Sequence, residues 1–241
     1  VCQERWDSRV MAYGALSVKD PNFKDYTIRV PRGESDLARA LEKLIEAGDR
    51  YYSSELNELK NIHFDRHLYQ PLLIQRGDNV TCDPPGLKPS ELQFVRDIRD
   101  YARREASASL ASKEIYLLRN LSRGHGIGFF ENEGFYPDFI LWIKESKKQR
   151  IVFIEPHGMM MEKSYWDSDK VSLHERLAVL SWELSKKGGI KNVTLDSFII
   201  SKTPYDTLRS FYGDEGWTVD TFAEKHILFF SDDGGYLKDL F

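Results

Sequence analysis

Tyr136-Pro137-Asp138-Phe139-Ile140-Leu141-Trp142, followed after a polar stretch by Arg150-Ile151-Val152-Phe153-Ile154-Glu155-Pro156-His157-Gly158, decides how this chain is to be read. Both segments are short apolar runs bounded by polar residues, the pattern of two strands joined as a hairpin. A lone acid interrupts each run. If Lys144 and Gln149 close a loop of Glu145, Ser146, Lys147 and Lys148, carrying the register outward puts Asp138 directly across from Glu155. Cross-strand neighbours have Cβ atoms roughly 4.5 to 5.5 Å apart, so two carboxylates there repel unless a proton or a cation lies between them. A divalent metal ion fits that gap. Strand alternation brings His157 onto the face of Glu155, while Pro156 turns away and offers only its carbonyl oxygen. The spacing thus predicts two carboxylates, a backbone oxygen and an imidazole converging on one point.

The surrounding sequence predicts an α/β domain. Ser90 is read as an N-cap with Gln93 as its capping-box partner, opening a helix that runs to about Ala108 with Phe94, Val95, Ile98, Tyr101 and Ala102 as its buried stripe. Glu91 lies three and four residues before Phe94 and Val95, so its carboxylate points toward the face that packs on the sheet. An acid there needs a partner, although the first turn of a helix favours one through the macrodipole alone. Ile115 to Ser122 reads as a strand, Gly124 to Gly128 as a turn, and Asp169 to Lys187 as a helix stopped by Gly188-Gly189. Strands follow at Val193 to Ser201 and His226 to Phe230. A mixed central β-sheet flanked by helices is the expectation.

Ahead of this domain, residues 1–33 read as irregular structure with one or two short strands, Glu34 to Gly48 as a helix with Leu37, Ala40, Leu41, Leu44 and Ile45 on one stripe, and Ser54 to Asn61 as a second helix. Leu68 to Gln75 is a strand candidate, and the Pro- and Gly-rich stretch from Arg76 to Pro89 reads as a linker. The division expected is a helical and irregular extension over 1–88 and one domain over 89–241.

Composition sets outer bounds. A chain of 241 residues that is 41% hydrophobic has a globular composition, and no apolar run approaches the length of a bilayer span. Cys2 and Cys82 provide neither a disulfide framework nor a zinc cluster, so a reducing cytosol is expected. With no initiator Met and no signal peptide, Val1 is expected to mark a processed chain or a piece of a longer one. The formal charge of −4 argues against electrostatic coating of nucleic acid, while leaving room for a local basic strip.

Pro137-Asp138 and Glu155-Pro156-His157 resemble the signature of the PD-(D/E)xK nucleases, also called restriction-endonuclease-like: a Pro-Asp opening one strand, then Glu or Asp, any residue and Lys closing the next. The single departure is His157 where that family usually has Lys. The runs Arg119-Asn120-Leu121-Ser122, Phe135 to Trp142 and Phe153 to Gly158 are similar to nuclease domains fused to DEAD/DEAH or type III restriction-type helicases in bacterial defence proteins. The likeness covers about Pro89 to Phe230. It implies a restriction-endonuclease-like core, a DNA endonuclease dependent on Mg²⁺ or Mn²⁺, a helicase or ATPase domain as partner and a cytoplasmic, membrane-free setting; a homo-oligomer stays open. It also implies Glu91 as the helix acid that joins Asp138 and Glu155, with His157 orienting the attacking water or stabilising charge. The oxygen set of Asp138, Glu155, the Pro156 carbonyl and water suits Mg²⁺ or Mn²⁺ over zinc.

An imidazole is shorter than a lysine and largely neutral at pH 7 unless a neighbour raises its pKa. Cleavage weaker or more Mn²⁺-dependent than a Lys at that position would give is therefore expected. The alternative is a nuclease-fold domain that has lost catalysis and binds nucleic acid or docks a partner; a third reading makes the two acids a structural pair in an unrelated α/β protein. Other features carry blander readings. His63 and His67 flank Asp65 at helical spacing and read as surface polarity; Gly124, Gly126 and Gly128 lack a Walker or dinucleotide context; Met159 to Met161 read as packing, and His174 as structural. Arg96, Arg99, Arg103 and Arg104 give the Glu91 helix a basic outer face, solvated or in contact with phosphate, and His125 reaches out from its Gly-rich turn.

Overall fold

A computed structural model describes residues 27–29, 55–56, 59–62, 73–74, 81–83, 86–120, 136–161, 168–212 and 216–241. The deciding segments form the expected hairpin, β2 (Phe139–Glu145) and β3 (Lys148–His157). Lys144 pairs with Gln149, and one more rung, Glu145 with Lys148, shortens the expected four-residue loop to Ser146-Lys147. Ser146 takes φ 54°, the left-handed geometry that a two-residue hairpin turn demands of a central position. Because the extra rung is symmetric, the register is unchanged, and Phe139 lies across from Ile154.

β1 (Lys113–Arg119) joins the free edge of β2 antiparallel, while β4 (Val193–Ser201) lies parallel to β3 and β5 (Ile227–Phe229) parallel to β4. The sheet order is β5-β4-β3-β2-β1. Parallel neighbours need a crossover, and α2 (Leu173–Lys187) provides the one between β3 and β4. Two short helices, α3 (Tyr205–Tyr212) and α4 (Val219–Glu224), lie between β4 and β5. The architecture is a mixed α/β sheet with helices on both faces.

Alternation along β2 and β3 sorts the core into two layers. Phe139, Leu141, Val152 and Ile154 cluster with Phe94, Val95 and Ile98 of α1 (Pro89–Glu105), whereas Ile140, Trp142, Ile151 and Phe153 cluster with Leu173, Leu177 and Leu184 of α2. Phe94 is fully buried with its ring 5.3 Å from that of Phe139. α2 stops because Gly189 takes φ 67°, the left-handed geometry glycine adopts without strain, and the Ile190 N–H turns back to the Leu184 carbonyl at 3.1 Å.

Several boundaries move. The N-cap of α1 is Lys88, not Ser90: Pro89 sits at the first helical position, where a missing N–H costs nothing, and Glu91 rather than Gln93 is the acid that reaches back to the cap. That helix stops at Glu105, short of Ala108. β1 leaves the sheet after Arg119, and α2 begins at Leu173 because residues 169–172 form a turn. The helix expected at Ser54 to Asn61 is replaced by strands Glu55–Leu56 and Leu59–Ile62, paired antiparallel, with Leu73–Ile74 as third strand. So short a segment holds too few apolar positions to separate the two periodicities, and backbone pairing decides. Thr81–Asp83, expected within a linker, pairs with Thr27–Arg29. The helix expected over Glu34 to Gly48, the His63/His67 pair and the turn holding His125 lie outside the described residues. No helix among the described residues is long and apolar enough to cross a membrane.

Candidate active site

One end of the sheet collects polar groups from five segments: the start of α1, the end of β1, the residues opening β2, the end of β3 and the turn before α2. Asp138 stands just before β2, so it forms no ladder rung, yet its main chain is held on both sides. Its N–H donates to Glu155 Oε2 at 3.2 Å, and its carbonyl accepts from the Asn120 N–H at 2.8 Å. Asn120 also donates Nδ2 to the Pro137 carbonyl at 2.8 Å, fixing the Pro-Asp pair to the end of β1.

Glu155 is buried and uses its other oxygen in an ion pair, Lys170 Nζ standing 3.2 Å from Oε1. The Pro156 carbonyl accepts the Ser90 hydroxyl at 3.1 Å, so the residue expected to cap α1 instead ties that helix to β3. His157, half-buried, closes β3, and its carbonyl accepts from the Lys202 N–H at 2.9 Å.

Glu91 is buried on the sheet-facing side of α1, with a full set of partners. Lys88 donates its backbone N–H at 3.2 Å and its ammonium at 3.1 Å, and Arg119 Nη2 of β1 lies 3.4 Å away. The Arg119 guanidinium is itself buried, and its Nη1 has no hydrogen-bond partner among the described residues. Glu91 is thus a capping and ion-paired acid that also bears on Asp138 through charge.

The electrostatic outcome falls on Asp138. Burial, then the carboxylates of Glu155 and Glu91, push its carboxyl up to about 7 from the usual 3.8, against the opposing pull of Lys88 and Lys170. Glu91 and Glu155 each own a cation; among the described residues the Asp138 carboxylate has none, so it carries the surplus. Lys88 responds in the opposite sense. Burial disfavours its charge, but Asp138, Glu91 and Glu155 outweigh that, and its ammonium is held above the ordinary lysine range.

Sequence reasoning missed Lys170, Lys88, Asn120 and Arg119 as members of this cluster. Only Arg119 leaves a usable mark: it follows Ile115 and Leu117 in the inward phase of an otherwise apolar strand, where an unpartnered cation would be costly. The basic face of α1 is occupied in part, Arg99 pairing with Asp100 at 2.9 Å and Arg104 donating to the Asp233 carbonyl at 3.3 Å. Met159 packs in the core with Val171, Ile199 and Phe222 as expected, and Met160 is exposed. His174 plays a structural part, its Nδ1 2.7 Å from the Val171 carbonyl and its ring stacked 4.3 Å from that of His226.

Among the described residues no group of three or more His, Cys, Asp or Glu is arranged to hold a metal ion. What the cluster offers is oxygen donors: two carboxylates, one of them with no ion pair among the described residues, and the Pro156 carbonyl, which accepts from Ser90. Oxygen donors are the kind a hard cation takes, whereas zinc is usually held by nitrogen and sulfur. No protein-family model, no curated protein and no solved structure matches this chain.

Proposed function

We propose that this end of the sheet is the active centre of a metal-dependent endonuclease of the restriction-endonuclease-like kind, hydrolysing DNA phosphodiester bonds. The observation that carries the reading is geometric: the Asp138 N–H donates to Glu155 Oε2 at 3.2 Å, bringing the two acids together at one buried end of the sheet, where burial and the Glu155 and Glu91 carboxylates push the Asp138 carboxyl up. Perturbed acids with a named charge partner mark functional sites more often than ordinary ones. The hairpin register expected from the pairing of Lys144 with Gln149, and the mixed sheet with helices on both faces, support it further.

Asp138, Glu155 and the Pro156 carbonyl would hold Mg²⁺ or Mn²⁺, which supplies an activated water and neutralises charge on the phosphate oxygens. Glu155 is oriented by the Asp138 N–H, and Asn120 locks the backbone that presents Asp138. His157, at the open end of β3, orients a water, while Lys88 and Lys170 give the mouth of an acidic cluster the positive charge a phosphate needs. The protein acts in the cytoplasm with a helicase or ATPase partner in a bacterial restriction or anti-phage system, as the resemblance implies.

The test is cleavage of plasmid and single-stranded DNA with added Mg²⁺ or Mn²⁺, with Asp138→Ala and Glu155→Ala alongside. Both variants are expected to lose cleavage, and cleavage that survives both refutes the reading. A second reading, a nuclease-fold domain that only binds nucleic acid, is favoured by His157 and by Glu91 and Glu155 already having cationic partners without an ion. Retained DNA binding with no cleavage under either metal selects it.

A further inference from the structure

Resting on the reading of Asp138 and Glu155 as an ion-binding pair, we propose that Lys170 is a tethered cation that holds the place of the metal ion beside Glu155 and gives way when the ion binds. Lys170 Nζ stands 3.2 Å from Glu155 Oε1, while the other oxygen of that carboxylate already accepts the Asp138 N–H at 3.2 Å. An ion held by Glu155 and Asp138 together therefore meets Lys170 as a competitor for the same oxygen. Close approach of an ammonium to a divalent ion is repulsive, so the two cannot share it.

The lysine is built to be placed and to be released. Its turn is pinned by the Ser172 N–H donating to the Ser168 carbonyl at 3.0 Å, by the Val171 N–H donating to the Ser168 hydroxyl at 3.3 Å, and by the buried Val171 side chain. The flanking Asp169 is tied to Arg176 of α2 at 3.5 Å. Its ammonium is different: the side chain is 27% exposed against 12% for Glu155, and four methylenes let it swing outward while the backbone stays. Without this cation, removing the ion would leave a buried carboxylate next to Asp138 uncompensated.

Mn²⁺ binding to the whole chain, followed at constant pH by the loss of the free-ion electron paramagnetic resonance signal, separates the possibilities. Lys170→Met is expected to tighten Mn²⁺ binding roughly five-fold, the range in which a partly exposed ion pair competes. Lys170→Arg, which keeps the charge, is expected to stay within about two-fold of the parent. In a Glu155→Gln background the Met substitution is expected to change nothing, because the shared oxygen has lost its charge. Unchanged or weaker binding by Lys170→Met, while the parent binds Mn²⁺, overturns the inference and leaves the nuclease reading standing. Absence of binding by parent and Lys170→Met alike overturns both.

Discussion

Replacing Asp138 by Asn isolates the electrostatic strain of the site, because the groups that hold residue 138 in place are its own N–H and carbonyl, which the substitution keeps. The native carboxyl titrates near 7 instead of 3.8. The folded protein therefore binds that proton more tightly than the unfolded chain does, so the stabilisation is complete below the ordinary carboxylate pKa and disappears as pH rises through about 7. At about 1.4 kcal/mol for each pH unit between the two values, the whole effect is on the order of 4 kcal/mol. Roughly 2–3 kcal/mol of it falls between about pH 5 and pH 8. Urea unfolding across that range should show the parent losing that amount and Asp138→Asn losing far less, so that the variant is the more stable protein at the alkaline end. Saturating Mn²⁺ at about 100 times its Kd should return about 2.7 kcal/mol to the parent at pH 8 and little to the variant. Parallel pH profiles for the two proteins would show that neither burial nor the Glu155 carboxylate raises the Asp138 carboxyl, and the case for an ion between the two acids would go with that.

His157→Lys is expected to raise Mg²⁺-dependent turnover at least several-fold in a folded protein, by a charge-stabilising effect of the kind worth 10²-fold or more in well-placed donors; unchanged turnover refutes the electrostatic part of that expectation. Phe94→Ala removes a fully buried ring that rests on Phe139 and should cost about 3–5 kcal/mol in chemical denaturation, with a cost under about 1 kcal/mol contradicting the α1 packing. Arg150 donates Nη2 and Nε to Asp196 at 2.5 and 3.2 Å and Nη1 to the Leu240 carbonyl at 2.9 Å, so Arg150→Ala should cost about 1–3 kcal/mol and increase proteolysis at the C-terminal end. An unaltered midpoint would mean that these bonds are replaced by water without loss.

The hairpin register was legible because two apolar runs of the same phase allow few pairings, and a slip by one residue would turn Phe139, Leu141, Val152 and Ile154 away from α1. The turn itself was not, since Ser146 adopts a left-handed conformation that sequence reserves for Gly or Asn. Glu91 was legible as a buried acid from its place beside Phe94 and Val95, but its partners were not. Lys88 answers it through helix capping, which Pro89 dictates, and Arg119 answers it from a strand that only the folded sheet brings near. Lys170 left no trace in spacing: it lies in a short turn that reads as the first residues of a helix, and its meaning comes from where that turn docks. Asn120 belongs to the same class, a residue whose role is a main-chain clamp across 17 positions.

The layered arrangement has a consequence for how such a centre comes into being. α1 and α2 cover opposite sides of the sheet, and the residues leading into each, Lys88 and Lys170, bring a lysine to the same rim. A nascent β2-β3 ribbon by itself would bring the Asp138 and Glu155 carboxylates together with neither lysine beside them. The rim becomes tolerable only after both coverings have settled, so an intermediate missing either helix should be electrostatically unfinished.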